Sequence, residues 1–247
     1  MKRKSLFSIT ASVLFCAAAL IPSGYSYSQQ ADENKSMFSS FVRGKGPRYL
    51  DDQLFVALTY NVLTSMPQQM NQYSFPNTIS FGYVRDIPLN KRRNIGLGVG
   101  VGYSFHTYYT NLSMTKNDSG PLISIMDSDQ FKNNRFSMQS IDFPIQLRFR
   151  GSTAEKYRFW RVYAGVTPSW VVRTHATVKN DYMKVRYYNL PYLENWLFTA
   201  NLQVGYGKFT LKADYTINSL FKSSLVQDVP GLEDTRSFNF GLLVYIL

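Results

Sequence analysis

The stretch NIGLGVGVGYSF, Asn94 to Phe105, alternates strictly. Its odd positions from Ile95 to Phe105 carry Ile, Leu, Val, Val, Tyr and Phe, and four of the even positions are glycines: Gly96, Gly98, Gly100 and Gly102. A period of two is that of a β-strand, whose successive side chains point to opposite faces. Glycine inside a strand ordinarily weakens it. A strand with one bulky apolar face and one bare face therefore needs surroundings that favour both.

The same period recurs along the chain. LFVALTYNV (54–62), TISFGYV (78–84), IDFPIQLRF (141–149), WRVYAGVTPSWVV (160–172), FTANLQVGY (198–206), FTLKADYTI (209–217) and FNFGLLVYI (238–246) join the glycine strand, making eight segments. The connections alternate too. Long ones cover 64–74, 107–136, 174–195 and 219–235, whereas 85–93, 151–157 and the Gly207–Lys208 turn are short. An even number of strands with long and short connections in alternation describes an up-and-down antiparallel barrel. The segment 107–136, rich in Asn, Asp, Ser and Gly, is expected to be a mobile external loop.

A soluble eight-stranded barrel shares this period but turns its apolar face inward. Three features favour the inverse arrangement. The apolar frame is uniform and aromatic, while the other frame carries Lys, Arg, Asp, Asn and Gln. Trp160 and Trp170 share one face of one strand, ten residues apart. At ~3.3 Å per residue and a tilt near 40° that is roughly 25 Å, the height of a lipid-facing band with an aromatic girdle at each rim. Finally, eight strands enclose an interior only as wide as the side chains that fill it, and the glycines supply room there. Hydrocarbon offers no partner to a backbone N–H or C=O, so strands cross it only in a closed sheet. The fold expected is all-β: an eight-stranded antiparallel up-and-down transmembrane β-barrel of outer-membrane type, with both termini at the short-turn, periplasmic end.

Composition agrees. The chain has 247 residues, a formal net charge of +11, 18 Tyr and 18 Phe. A basic MKRK, an apolar SLFSITASVLFCAAALI and a small-residue PSGYSYS read as a signal peptide over 1–28, followed by a polar periplasmic tail over 29–51 and the barrel over 52–247. The single cysteine, Cys16, lies within that signal, so no disulfide, cysteine nucleophile or cysteine metal site is expected in the mature chain. No other apolar run reaches the ~18 to 20 residues of a spanning helix.

Asp142, Arg148, Arg161, Lys212 and Asp214 fall on the polar, lumen-facing frame. They read either as a gate or proton path or, preferably, as a structural charge network filling a closed lumen, because an isolated buried charge is costly. Arg85, Lys91, Arg92, Arg93, Lys156 and Arg158 make the short turns basic. These turns suit docking of an acidic periplasmic partner or plain contact with anionic headgroups, and composition does not separate the two. His106 and His175 lie near serines, but no motif fixes a Ser–His spacing. Neither an enzyme nor a metal site, cofactor, nucleic acid or small-molecule substrate is expected.

YLDDQLFVALTYNVL, then FGYVRDIPLNKRRNIGLGVGVGYSFHTYYTNL, then IDFPIQLRFR together resemble the PorT family of outer-membrane barrels of the type IX secretion system of the Bacteroidota. RDIPLNKRRN followed by the glycine strand is the most specific element, and the likeness covers most of the chain from Tyr49 to Arg173 and, more weakly, the last three strands. The resemblance implies a non-catalytic barrel needed to export cell-surface proteins, including gliding-motility adhesins and proteases. It implies other secretion proteins of the outer membrane and periplasm as partners, beside the lipid bilayer. The alternative is a general structural or ligand-binding small barrel, porin-like, without a secretion role.

Overall fold

The structure, a computed structural model, describes residues 53–90, 92, 94–117, 120–126, 134–151, 160–179, 184–207 and 209–246. The signal segment 1–28 and the tail 29–51 lie outside the described residues. In chain order the strands are β1 (Gln53–Thr64), β2 (Asn77–Pro88), β3 (Ile95–Tyr109), β4 (Leu112–Asn117), β5 (Gly120–Ile125), β6 (Arg135–Asp142), β7 (Ile145–Arg150), β8 (Trp160–Lys179), β9 (Lys184–Tyr188), β10 (Trp196–Tyr206), β11 (Phe209–Thr216) and β12 (Arg236–Ile246).

Eight staves close into an antiparallel barrel. β6 and β7 are two halves of one stave, both pairing with β3 and β8, and β12 pairs with β1 to shut the sheet. The break at Phe143–Pro144 follows from proline's missing N–H, which cannot join the ladder. Phe143 still donates to the Pro168 carbonyl (2.8 Å) and the Pro144 carbonyl still accepts from Gly100 (3.0 Å), so closure survives the break.

The pairings fix the tilt. From Leu58, partners run round the barrel through Leu242, Leu211, Val204, Val162, Phe149 and Ile95. The Ile95 carbonyl then accepts from the N–H of Leu89, just past the end of β2 and ten residues from Ile79, the direct partner of Leu58. That displacement per circuit is the stagger that tilted strands require. All seven residues of this ring are apolar and none is buried. The alternate frame points in and is closed to the outside: Ala57, Thr59 and Asn61 on β1, and Leu243 and Tyr245 on β12, are buried. Trp160 and Trp170 both face outward, Trp160 against Tyr206 (5.3 Å between rings) and Trp170 against Trp196 (6.5 Å). No helix among the described residues is long and apolar enough to cross a membrane.

The expectation of a mobile loop over 107–136 is corrected. β3 continues to Tyr109, β4 and β5 form a hairpin, and β6 begins at Arg135. Residues from all four long connections then pack into one apolar cluster: Met70, Met114 and Ile123, Tyr192 and Leu193, and Phe221 and Leu232 join Phe136 and Met138 of β6. Asn111 binds this cap together, accepting from the Asn71 N–H (2.8 Å) and donating to the carbonyls of Gln69 (2.9 Å) and Met126 (3.2 Å). Tyr192 donates to the Thr115 carbonyl (3.2 Å), joining two loops distant in sequence. The loop end of the barrel is thus roofed by a small core of its own.

Leu202 pairs with Ala164, close to halfway between Trp160 and Trp170 along the wall, and faces outward. Leu202→Arg is expected to lower stability by about 2–4 kcal/mol, as a charge at mid-depth does, and Leu202→Phe by less than 1 kcal/mol. Urea unfolding midpoints of the barrel in lipid vesicles measure both.

Candidate functional site

The interior carries the charged residues, in two tiers. At the short-turn end lies Arg148, fully buried. Its guanidinium donates to Gln53 Oε1 and Gln146 Oε1 (both 3.2 Å) and stands 4.5 Å from the Tyr163 ring centroid. Arg161 donates to the Gly207 carbonyl (2.5 Å) and lies 5.0 Å from the Tyr245 ring. Tyr245 donates its own hydroxyl hydrogen bond to Gln203 Oε1 (2.6 Å). The counter-charge of this tier is Asp86, which forms ion pairs with Arg150 and, at 4.0 Å, with Arg148.

Asp86 was not among the expected lumen charges, although the signal for it was present. Tyr83, Val84, Arg85 and Asp86 keep the period of two beyond the last aromatic, so Asp86 shares the inward frame of Val84. The same continuation corrects Arg85. It belongs to β2 rather than to a turn, because the β2–β3 pairing runs to Pro88 and Gly96. Arg85 stands exposed on the outer wall opposite Val99, where a long cationic side chain carries its charge along apolar surface to the rim. Of the other turn residues, Arg92 is exposed in the β2–β3 turn, while Lys91, Arg93, Lys156 and Arg158 lie outside the described residues.

Two glycines of the opening stretch make the lower tier possible. A Cβ added at Gly98 would stand 2.3 Å from Arg148 Nε, and one at Gly96 would stand 2.7 Å from Asp86 Oδ1. The bare face of β3 is the space that this buried arginine and its carboxylate occupy.

The upper tier holds Asp142, Lys212 and Asp214. Lys212 and Asp214 pair at 2.8 Å. Asp142 is bound by hydroxyls instead, accepting from Ser104 and, at 2.8 Å, from Ser140. Ser104 also lies 2.9 Å from Ser80. His106 sits in the same tier with Nδ1 2.8 Å from the Thr78 hydroxyl and Nε2 3.2 Å from the Ser140 hydroxyl. The five expected lumen charges are therefore not one network but two tiers, and Arg148 finds its carboxylate in Asp86. The cavity among Thr78, Ser104, His106, Asp142, Lys212 and Asp214 measures about 40 Å³. That is room for roughly two or three waters. A second void, beside Gln146, Gln203 and Tyr245, is about 30 Å³. With the loop cap above and the Arg148 tier below, the interior is a packed polar core. No cluster among the described residues has the make-up of a metal site.

The second histidine is outside the lumen. His175, on β8 above Trp170, pairs across with Ser137 and with Tyr188. Its imidazole is held below its ordinary pKa, first by partial burial and then by the charges of Arg135, Arg186 and Arg173.

A family model described as "Outer membrane protein beta-barrel domain" matches residues 27–224. Among solved structures, Ail, the attachment invasion locus protein of Yersinia pestis, is similar at 12% identity and a TM-score of 0.36, over 78% of this chain and 96% of that one. The same protein in complex with the heparin analogue sucrose octasulfate gives 11% identity and a TM-score of 0.34, over 79% and 97%. No curated protein matches the sequence.

Replacing Gly98 by Ala drives a methyl group into Arg148, and overpacking of this kind costs about 1–3 kcal/mol. Asp86→Asn removes the carboxylate that both guanidiniums use and is expected to cost about 3–5 kcal/mol. Paired with Arg148→Gln, Gly98→Ala should lose most of its own cost, since the clash partner has gone. Urea midpoints of the refolded single and double variants in detergent micelles check this coupling.

Proposed function

The chain belongs to the outer membrane protein beta-barrel domain family, and from that premise we propose that it is an accessory, scaffolding component of type IX protein secretion. As a member of that family it is an integral protein of the outer membrane. Within the proposal it is not the conduit, because a lumen filled by side chains, with voids of about 40 and 30 Å³ among them, passes no polypeptide. Nor does the proposal give it an enzymatic role. The serines and the histidine of the lumen are engaged with one another and with Asp142, in a space that admits only water.

What remains to do work is the outside. At the periplasmic end the β2–β3 turn bearing Arg92, with Lys91 and Arg93 beside it in sequence, and the β7–β8 connection with Lys156 and Arg158 would receive an acidic face of another secretion protein. At the other end the roofed loops offer a second surface. The reading draws its specificity from the likeness of RDIPLNKRRN and the following glycine strand to the PorT family. The observation that carries it is the filled lumen, which supports docking over conduction as its role.

The second reading is a general structural or ligand-binding small barrel without a secretion role. The interlocked cap favours it, since a rigid external surface built by four loops suits contact with an extracellular ligand.

Deletion of the gene is expected to abolish surface display of secreted cargo, and the wild-type chain should restore it. The charge-reversed chain K91E/R92E/R93E/K156E/R158E should reach the outer membrane at normal abundance yet restore less than about a tenth of export. Crosslinking from these turns in intact cells should capture a periplasmic partner. Unchanged export after deletion overturns the secretion reading and leaves the second one standing.

A further inference from the structure

The outer wall changes character above the upper tryptophans. β8 continues past Trp170 to Lys179, flanked by β6 on one side and β9 on the other. On this extension Arg173 is exposed and pairs with Gln139, and Thr177 lies between Arg135 and Arg186. The Arg173 guanidinium is 5.8 Å from the centroid of the Tyr188 ring, which in turn lies 6.1 Å from the His175 ring. Arg173 thus stands two residues before His175 on its strand, Arg135 and Arg186 flank Thr177 two residues after it, and all three charges depress the affinity of the imidazole for a proton.

Such a gathering of like charge is unfavourable unless an anion answers it. Elsewhere this chain supplies the anion itself, as Asp86 does for Arg148 and Arg150, and Asp214 for Lys212. Among the described residues, none of Arg135, Arg173 and Arg186 has a carboxylate at ion-pair distance.

Height identifies the missing anion. Arg173 stands three residues beyond Trp170 on the same strand. At ~3.3 Å per residue and a tilt near 40° it lies roughly 8 Å above the indole, past the hydrocarbon edge and inside the headgroup layer. Directly below are Val172 and Ile141, with the stacked rings of Trp170 and Trp196. This is the long-loop end, so the leaflet is the outer one.

We propose that Arg135, Arg173 and Arg186, with His175 and Tyr188, form a binding site for the phosphate of an outer-leaflet phosphorylated glycolipid, whose acyl chains lie against the apolar wall beneath. Guanidinium forks match phosphate oxygens two at a time, and Tyr188 backs the Arg173 fork. The wall below gives the site its preference for a lipid over a free anion of the same chemistry. This assignment does not depend on the secretion reading.

The test uses the full-length barrel in non-ionic detergent micelles. Three probes are compared by native mass spectrometry and thermal shift: phosphorylated lipid A, the same lipid after phosphatase treatment, and inorganic phosphate. The wild-type chain is expected to bind phosphorylated lipid A about tenfold or more tighter than does R135Q/R173Q/R186Q, and to prefer it by a similar factor over the dephosphorylated lipid. Millimolar inorganic phosphate should not displace it. Folding is checked by heat-modifiable gel mobility, and R173Q and R186Q alone, each expected to weaken binding severalfold, carry the test if the triple variant fails to fold. Equal binding by wild type and variants, or of the two lipids, overturns the site. Displacement by inorganic phosphate overturns its assignment to a lipid.

Discussion

A peptide group in hydrocarbon has no partner but another peptide group. Everything in this barrel follows from meeting that demand with only eight staves. β12 returns to β1 so that no edge is left open, and the ladder persists across Phe143–Pro144 through donors on either side of the break. Closure at this strand number then fixes a narrow interior. The side chains admitted to it are a packing problem: Arg148 and Asp86 fit because β3 presents hydrogen atoms at Gly98 and Gly96 where other strands present side chains. Bulk outside and bareness inside, joined in one stretch of β3, are two consequences of the same closed sheet.

The polar interior is therefore a core in its own right, held by charge and hydroxyl pairing where a soluble protein would use packed hydrocarbon. Burial of these ionisable groups is offset by the partners they meet, Asp142 by two serine hydroxyls, Lys212 by Asp214, and Arg148 by two amides and two aromatic faces. The larger of two buried hydrophobic clusters lies at the loop end, where Phe136, Tyr108, Met114 and Phe221 pack together, and a smaller one of Phe55, Ala57, Val84, Tyr163, Leu243 and Tyr245 lies within the lumen. In the roles proposed for it, such a barrel would meet other molecules through its outside: the short turns, the roofed loops and the arginine-bearing extension of β8.

Much of this is legible in the sequence because lipid imposes a plain rule. Alternation marks all eight staves, and the outward frame, including Trp160 and Trp170, follows from it at once. The inward placement of Arg148, Arg161, Lys212 and Asp214 comes from the same period. What escapes is whatever depends on contacts between distant segments. Asp86 sits in a stretch that resembles a turn, and its inward frame is read only by carrying the period of two past Tyr83, as the extended β2–β3 pairing does. The cap is invisible to periodicity, since Leu112, Met114, Ile123, Leu190 and Phe221 are scattered among Asn, Asp, Ser and Gly and become buried only when four loops meet. The cationic patch joins β6, β8 and β9 through a register that shifts between Gln139 and Ser140, a bulge that no local pattern announces.

The central claim is that the bulky frame looks into lipid and the polar and glycine frame looks into a closed lumen. The chain's three tryptophans, Trp160, Trp170 and Trp196, all lie on the outer wall at its rims. Reconstitution in vesicles of lipids brominated at successive depths tests this most directly. Strong quenching of tryptophan fluorescence by bromine near the headgroup end of the chains, fading toward the bilayer centre, is the result expected. Fluorescence indifferent to brominated lipid at every depth would place these rings away from the bilayer and contradict the account.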